Sequence, residues 1–229
     1  YLKNLKMNSY DANYKNYYIS RNRSLTNDQR LILKSYKKKI SLESFLLSKK
    51  IKKYETRSLE IGFGTGEILI YNALKYPETL FVGIEYYKRG IANLLMNIEK
   101  EKLDNIRVFY GDASQYLQAI ETKTFNEVLI MFPDPWPKKR HWKRRFINTT
   151  NVNELSRILK LRGKVLFFTD NDSLAFWGLR HFIQNKNFLW SVDKPIDCRT
   201  RINSHLITRY ESKALTKNIN PYYFKFTRQ

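Results

Sequence analysis

Residues 59–66 run Leu59-Glu60-Ile61-Gly62-Phe63-Gly64-Thr65-Gly66, and this stretch decides the fold. A short apolar run ends at Ile61, and three glycines then turn the chain into a segment with helical periodicity. Glycine allows a tight turn and a close approach of the backbone to a ligand, because it has no Cβ. A strand, a glycine-rich turn and a helix in this order predict a nucleotide-like ligand at the turn.

The segments that follow alternate between short apolar runs and helical stretches. The predicted strands cover residues 58–61, 80–85, 106–110, 127–132, 164–169, 188–192 and 222–226. The predicted helices cover residues 67–76, 88–100, 113–120, 145–159 and 173–186. The first five runs are apolar on both faces, as buried parallel strands are, and the last run could form an antiparallel edge. The pattern predicts an α/β fold: a doubly wound, mostly parallel seven-stranded sheet of the Rossmann-like type.

The first quarter of the chain differs in composition from the rest. Residues 1–57 hold 15 Lys and Arg against 4 Asp and Glu, and they predict a basic N-terminal extension with one helix. That helix is expected from Thr26, a plausible N-cap, to about Lys50. The remaining residues, 58–229, are expected to form one domain.

The charge balance indicates a polyanionic partner. The 229 residues include 42 Lys and Arg against 21 Asp and Glu, a net charge of +21. Such a surplus repels itself in a compact fold, so nucleic acid is the leading partner and an anionic membrane surface the weaker one. Drift of composition in an AT-rich genome accounts for part of the excess, but clustering of the charge favours a functional origin.

Cysteine and histidine usage narrows the compartment and the chemistry. Cys198 is the single cysteine, so no disulfide within the chain is possible, which suits a cytoplasmic location. The three histidines lack metal-ligand spacing, and no apolar run has the roughly 18 residues needed to span a bilayer. We therefore expect neither a metal nor a membrane partner, while monomer and homodimer both remain open.

Three acidic residues near the predicted strand ends define the ligand. Glu85 ends the second strand, where a carboxylate can accept hydrogen bonds from ribose hydroxyls. Glu60 precedes the first glycine and would repel a pyrophosphate, so the loop with Gly62, Gly64 and Gly66 favours the cationic S-adenosylmethionine over NAD. Asp112 follows the third strand and could accept from the adenine amine, cap the next helix, or both.

The stretch Phe132-Pro133-Asp134-Pro135-Trp136-Pro137 follows the fourth strand, where ligands bind in doubly wound sheets. An acid stiffened by prolines beside an aromatic ring suits a flat polar base, which the carboxylate can bind at its edge. The alternative is a proline-rich turn with Trp136 in the core. Directly after it, six of the eight residues 138–145 are Lys or Arg. They predict a platform for phosphates, although a nuclear signal or a solvated basic patch has the same composition.

At this point the chain resembles the bacterial tRNA (guanine-N7)-methyltransferase family. The resemblance extends from about residue 21 to the C-terminus. It rests on Arg23-Ser24-Leu25-Thr26 with Gln29, Leu59–Gly66, Val82–Glu85, Gly111–Ala113, Phe132–Trp136 with Lys138, Arg140–Arg145, Phe168–Asp170 and Thr208–Glu211. The chain departs from the family pattern after Glu211, which leaves that wall of the site less defined.

The resemblance implies methylation of N7 of a guanosine in the tRNA variable loop. It implies methyl-donor contacts from Glu60, Glu85, Asp112 and Asp134. It implies substrate contacts from Lys138, Asp170, Thr208, Arg209, Tyr210 and Glu211. It implies RNA contacts from Arg140, His141, Trp142, Lys143, Arg144 and Arg145.

Asp134 is the expected catalytic residue, because methylation makes the guanine cationic and a fixed anion would stabilise that charge. Besides an NAD enzyme, which Glu60 and the lack of a hydride-transfer acid–base pair disfavour, two rivals stand beside this hypothesis. One is an exocyclic-amine methyltransferase, although its motif usually pairs two prolines before an aromatic residue. The other is a non-catalytic RNA-binding module, which would not bind S-adenosylmethionine.

Overall fold

A computed structural model describes residues 24–36, 53–202 and 206–229 of the chain. Its strands are β1 Thr56–Ile61, β2 Thr79–Glu85, β3 Ile106–Tyr110, β4 Phe125–Met131, β5 Leu159–Thr169, β6 Phe188–Trp190 and β7 Tyr222–Arg228. Its α-helices are α1 Asn27–Tyr36, α2 Glu67–Lys75, α3 Lys88–Lys100, α4 Ala113–Ala119, α5 Thr149–Ile158, α6 Asp172–Ile183 and α7 Arg209–Leu215. Two 3-10 helices span Lys139–Arg144 and Pro195–Arg199.

The seven strands form one sheet in the order β3-β2-β1-β4-β5-β7-β6. All pairs from β3 to β5 are parallel, while β7 lies antiparallel between β5 and β6. The predicted mostly parallel, doubly wound sheet is confirmed. The order of the strands reverses between β1 and β4, and ligands bind at the carboxyl ends of strands beside such a reversal.

Both faces of the sheet are buried, as the apolar runs predict. On β4, Val128 and Ile130 join the core under α4, α5 and α6, whereas Leu129 and Met131 face the opposite side. The alternation follows the two-residue period of a strand. A second apolar cluster packs α1 and α3 around Phe81 near the β3 edge. The central strands are therefore held rigidly on both sides.

Helix α1 begins where the sequence predicts. The Thr26 hydroxyl accepts from the Gln29 N–H at 3.2 Å, and the Gln29 side chain accepts from the Thr26 N–H at 3.1 Å. This reciprocal pair is a capping box. Gln29 also donates to Asn93 at 2.9 Å, which fastens α1 to α3. Residues 37–50 of the predicted helix lie outside the described residues, and the division at residue 57 stays a prediction.

The prediction of one helix from Arg145 to Leu159 is wrong at both ends. Helix α5 starts at Thr149, because the Asn148 side chain accepts from the Asn151 N–H at 3.0 Å and caps it. Residue 159 opens β5, which extends back from the predicted start at Lys164 by pairing Leu159 with Phe125. The last strand is antiparallel, as predicted, and pairs with β6 at the edge of the sheet, although β6 and not β7 is the outermost strand.

Candidate active site

The glycine loop adopts a conformation that its three glycines permit. Gly62, Gly64 and Gly66 have φ of 75°, 60° and 81°, all in the left-handed region that side chains rarely adopt. The loop leads from β1 into α2, whose N-cap is Gly66. The predicted strand–turn–helix context is confirmed, and the turn lies at the carboxyl end of β1.

Gly90, near the start of α3, packs against the glycine loop and is not among the site residues expected from the sequence. A Cβ at Gly90 would lie 2.0 Å from the carbonyl oxygen of Gly64, which is backbone and cannot turn away. The path of the glycine loop therefore depends on a glycine in another helix. The available signal is an isolated glycine inside a helical stretch, which usually has a packing reason.

Glu85 ties the end of β2 to the glycine loop. Its Oε2 accepts from the Gly64 N–H at 2.8 Å, and its Oε1 accepts from the N–H groups of Tyr86 and Tyr87 at 2.7 and 2.9 Å. A carboxylate has about four acceptor positions, so one remains for a ligand. If both hydroxyls of a ribose donated to Glu85, the second hydroxyl would have to share Oε2 with the Gly64 N–H or replace it.

Glu60 is the most unusual acid of the site. It lies in β1 with only 4% of its surface exposed, and its Oε2 is buried without a hydrogen-bond partner. Burial, and secondarily the nearby carboxylates of Glu85 and Glu67, raise the pKa of the Glu60 carboxyl well above its ordinary value. A buried acceptor without a partner is costly, and a ligand that brings a donor or a cation would satisfy it. The ammonium group of S-adenosylmethionine fits this requirement.

Asp112 has the capping role that the sequence left open. Its Oδ1 accepts from the Ser114 N–H at 2.8 Å at the start of α4. The capping interpretation is confirmed. This bond engages one carboxylate oxygen, so a contact of the other with adenine stays a prediction.

The acid loop, residues 132–137, combines prolines with a strained backbone. Phe132 and Trp136 have φ of 51° and 42°, and aromatic residues adopt the left-handed region at a cost of about 1–3 kcal/mol each. The two residues flank Pro133-Asp134-Pro135 at the end of β4. Such strain persists only where the surroundings fix the backbone, and it concentrates at functional sites. Burial by neighbouring protein raises the pKa of Asp134, although its side chain remains exposed at the surface.

The basic platform, residues 138–144, leaves the acid loop as a 3-10 helix. The exposed members are Lys138, Lys139, Arg140 and Lys143. The Arg144 guanidinium lies over the Trp136 ring at 4.9 Å, and His141 meets that ring edge-on at 5.8 Å. Partial burial and the neighbouring cations lower the pKa of His141, which favours its neutral form. Trp136 is thus a half-buried support for the platform as well as part of the acid loop.

Arg145 does not belong to the exposed platform. Its side chain is 1% exposed and donates to backbone carbonyls within the protein, so it is not available to a phosphate in this structure. In the sequence, Arg145 ends a continuous basic run. Composition alone does not indicate that this last residue is buried whereas the residues before it reach the surface. The expectation that it contacts RNA is corrected accordingly.

The residues expected to bind the substrate are divided between surface and core. Asp170 follows β5 and is exposed at the same edge of the sheet as Asp134. Arg209 and Tyr210 are exposed on α7, whereas Thr208 and Glu211 are buried and cap each other at its start.

The Glu211 carboxylate is held within the protein. Its Oε1 accepts from Arg201 Nε at 2.6 Å and from the Tyr223 hydroxyl at 2.9 Å. Burial and this carboxylate raise the pKa of Tyr223. A substrate contact from Glu211 would have to exchange with these partners.

The assembled site therefore offers acids within reach of a basic platform. Glu60, Glu85, Asp112, Asp134 and Asp170 all lie at or just after the carboxyl ends of β1 to β5. In a chain of net charge +21, this concentration of acids suits a cationic ligand. The exposed cations next to it suit a polyanion.

The described residues, 24–36, 53–202 and 206–229, contain neither a candidate metal site nor a membrane-spanning helix. Within them, no group of three or more His, Cys, Asp or Glu side chains could hold a metal ion. No helix in the same ranges has both the length and the apolar composition needed to cross a bilayer.

Known proteins match the chain over most of its length. The family model described as "Putative methyltransferase" matches residues 55–223. A tRNA (guanine-N(7)-)-methyltransferase from Nitrobacter winogradskyi is 39% identical over 175 residues, which are 76% of this chain and 68% of the relative. The enzyme of the same name from Bartonella henselae is 39% identical over 186 residues, 80% of this chain and 78% of the relative.

A solved structure shares the fold. The 16S rRNA (adenine(1408)-N(1))-methyltransferase from Catenulisporales acidiphilia, with the cosubstrate SAM, superposes with a TM-score of 0.55 at 10% identity. The match covers 82% of this chain and 91% of that one. Together with the sequence relatives, it establishes a class I methyltransferase fold. The chain belongs to the tRNA (guanine-N(7)-)-methyltransferase family.

Proposed function

We propose that this protein transfers the methyl group of S-adenosylmethionine to N7 of a guanosine in the variable loop of tRNA. The observation that carries the proposal is a pair of acids on neighbouring strands. Glu60 in β1 has a buried oxygen without a partner, and Asp134 follows β4 in a strained loop where burial raises its pKa. One acid suits a cationic donor, and the other suits a base that becomes cationic.

On the donor side, Glu60 would hold the ammonium group and Glu85 a ribose hydroxyl, with Asp112 near the adenine amine. S-adenosylmethionine supplies an activated methyl group whose bond to sulfur breaks, and the electron pair leaves with the sulfur. The glycine loop contributes a backbone that can lie close to this ligand without a Cβ in the way. Glu60 then has an ionic partner that offsets its burial.

On the acceptor side, N7 of guanine is a nucleophile without prior loss of a proton, because its lone pair lies in the ring plane. The bond from N7 to the methyl carbon forms while the carbon–sulfur bond breaks, and the positive charge moves to the guanine ring. The protein needs to align the reacting atoms and exclude water. A fixed Asp134 carboxylate beside the ring would stabilise the developing cation.

Selection of guanine would use its N1–H and the adjacent amine on C2. Adenine lacks this pair of donors, because its N1 carries no hydrogen and its amine is on C6. Asp134 and Asp170 are exposed acids at the correct edge of the sheet for this contact. Lys138, Arg209 and Tyr210 are exposed around the same site and could contact the nucleotide. The exposed cations Arg140 and Lys143 would bind phosphates and set the orientation of the RNA.

The direct test is incubation with labelled S-adenosylmethionine and total tRNA, followed by nucleoside analysis. The proposal predicts label in N7-methylguanosine. Label in a base methylated on an exocyclic amine would support the rival enzyme, and binding of tRNA without S-adenosylmethionine binding would support the non-catalytic module. With tRNA as substrate and Cys198 as a buried free thiol, we expect a cytoplasmic enzyme.

A further inference from the structure

Arg145 is the largest of the almost fully buried side chains, with 1% of its surface exposed. Its Nε donates to the Pro135 carbonyl at 2.9 Å, and its Nη2 lies 3.5 Å from the Trp136 carbonyl. From the other side, Nη1 donates to the Ser173 carbonyl at 3.2 Å and Nη2 to the Ser173 hydroxyl at 2.9 Å. The guanidinium therefore bridges the acid loop and the first turn of α6.

Two tryptophan rings enclose this bridge. The Arg145 guanidinium carbon lies 4.7 Å from the centre of the Trp142 ring and 5.3 Å from that of Trp177. The two rings meet edge to face at 5.4 Å, and Trp177 Nε1 donates to the Ile147 carbonyl at 2.6 Å. Cation–π contacts strengthen when the cation is removed from water, as it is here.

The bridge joins the segment that carries Asp134 to the segment that carries Asp170. Asp134 immediately precedes Pro135, and Asp170 lies three residues before Ser173. The side chain of Asn171 caps α6 by accepting from the Leu174 N–H at 2.9 Å, so the turn that holds Ser173 is itself fixed.

We propose that Arg145 is a positioning residue that sets the distance between Asp134 and Asp170 by fastening the acid loop to the start of α6. This proposal rests on the proposed function, because it deepens the account of the same site. It assigns Arg145 a role different from that of the exposed cations beside it, although all belong to one basic run.

Three physical arguments favour a bridging role for Arg145 over a phosphate-binding role. The planar guanidinium carries five donors in a fixed fork, so it can serve acceptors on both sides at once, whereas an ammonium is a single point of charge. Withdrawal of the side chain to reach a phosphate would break the bonds that the guanidinium donates to the Pro135 carbonyl and to Ser173. The strained backbone at Phe132 and Trp136 also needs a surrounding structure that fixes it, and Arg145 supplies contacts to that loop.

The test compares Arg145→Lys with Arg157→Lys. Arg157 also donates to two backbone carbonyls, those of Ile120 and Leu117, both at 2.7 Å, but it joins α5 to the end of α4. Both variants keep the positive charge and lose the fork. The readouts are Tm, kcat and KM with tRNA, the salt dependence of tRNA binding, and acrylamide quenching of tryptophan fluorescence.

For Arg145→Lys we expect kcat to fall by about 10–100-fold, since small displacements of catalytic groups have effects of this size. KM and the salt slope should stay close to those of the unaltered protein, while the tryptophans become more accessible to acrylamide. Arg157→Lys should lower Tm to a similar degree and retain kcat. Ser173→Ala, which removes one acceptor, should lower kcat in the same direction by a smaller factor.

Three results would overturn the proposal. The first is a lower tRNA affinity and a shallower salt slope for Arg145→Lys with kcat retained, which would make Arg145 an RNA contact. The second is a loss of kcat no larger than that of Arg157→Lys at equal loss of Tm. The third is unchanged kcat in Ser173→Ala together with unchanged quenching in Arg145→Lys. Failure of the proposed function is a separate outcome, because the unaltered protein would then form no N7-methylguanosine while the quenching comparison still reports on the bridge.

Discussion

Burial raises the pKa of both Glu60 and Asp134, but the two carboxyls differ in what surrounds them. Glu60 is enclosed in β1 next to other acids, so its ionised form is strongly disfavoured without a ligand. Asp134 keeps an exposed edge, and burial raises its pKa without a carboxylate partner. Glu60 is therefore suited to bind a cationic group of the ligand, and Asp134 is suited to stabilise a positive charge that develops during the reaction.

Replacement Glu60→Gln should stabilise the free protein and weaken donor binding. The raised pKa means that the folded protein retains a proton that the unfolded chain loses as pH rises above the ordinary value of a glutamic acid. Stability of the unaltered protein therefore falls with rising pH in that window, and the Gln variant lacks this loss. We expect a gain on the order of 1–3 kcal/mol near neutral pH.

Urea unfolding without S-adenosylmethionine at several pH values measures this difference. Glu78→Gln, at an exposed position before β2, is the control and should keep the pH dependence of the unaltered protein. Binding of S-adenosylmethionine to Glu60→Gln should weaken by at least about tenfold, as expected when the ionic partner is lost from a buried pair. Parallel pH profiles for Glu60→Gln and the unaltered protein would contradict the account of Glu60.

Replacement Asp134→Asn should lower single-turnover rate by roughly 10²–10³-fold, the usual effect of removing one electrostatic contact to a transition state. Affinity for tRNA should fall much less than the rate, since most of the affinity comes from phosphate contacts, which Asp134 does not make. In the unaltered protein the rate should fall as pH drops through the raised pKa of Asp134, because the protonated acid cannot stabilise a cation.

Single-turnover kinetics and filter binding test this expectation, with Asp104→Asn, an exposed acid between α3 and β3, as the control. Equal losses of rate and affinity in Asp134→Asn would show that the residue binds RNA and does not act on the reaction.

At the scale of elements, the sheet was predictable because its strands are apolar on both faces and the loops between them end in polar residues. The boundaries around residues 139–159 were not, because they depend on a side-chain cap and on backbone pairing between distant segments. Asn148 caps α5, and Leu159 pairs with Phe125 in a strand extension that periodicity does not indicate. Likewise, the acids of the site follow strand ends in the sequence, whereas the burial of Arg145 and the contact of Gly90 with Gly64 arise from packing between distant segments.

Replacement Gly90→Ala should disrupt the glycine loop from the neighbouring helix α3. The new Cβ would lie 2.0 Å from the Gly64 carbonyl oxygen, so the loop backbone has to move. We expect affinity for S-adenosylmethionine to fall by at least about tenfold, which corresponds to 1.4 kcal/mol.

Calorimetric titration with S-adenosylmethionine measures the effect. Gly178→Ala is the matched control. Gly178 lies in α6, away from the glycine loop, and its new Cβ would lie 2.4 Å from the side chain of Phe167. That variant should lose stability and keep its affinity. Similar affinities for Gly90→Ala and the unaltered protein would mean that the loop does not depend on this contact.

At the scale of the whole molecule, charge is unevenly distributed. The chain has a surplus of 21 positive charges, yet five acids lie at the carboxyl edge of the sheet beside an exposed basic platform. A polyanion is attracted to the surface as a whole, while a cationic ligand is favoured at one edge. The cations of the basic platform, which lie next to these acids, would then set the orientation of the bound tRNA.

The double replacement Arg140→Gln with Lys143→Gln should weaken tRNA binding and make it less dependent on salt, by up to about one unit of slope for each lost phosphate contact. The control is Lys100→Gln with Lys123→Gln, two exposed lysines that precede β3 and β4 at the opposite edge of the sheet. Filter binding over a range of salt concentrations gives both slopes. The same change of slope in both double variants would indicate general attraction and not a defined platform.

The most direct measurement of the central claim locates the methyl group on the RNA. N7-methylguanosine carries a cationic ring that borohydride reduces. The reduced base is then lost and aniline cleaves the RNA chain at that ribose, so each modified position becomes a strand break. After incubation of tRNA with the protein and S-adenosylmethionine, we predict one break at a guanosine of the variable loop, dependent on the methyl donor and strongly reduced with Asp134→Asn. Donor-dependent breaks elsewhere in the tRNA, or none at all, would contradict the account.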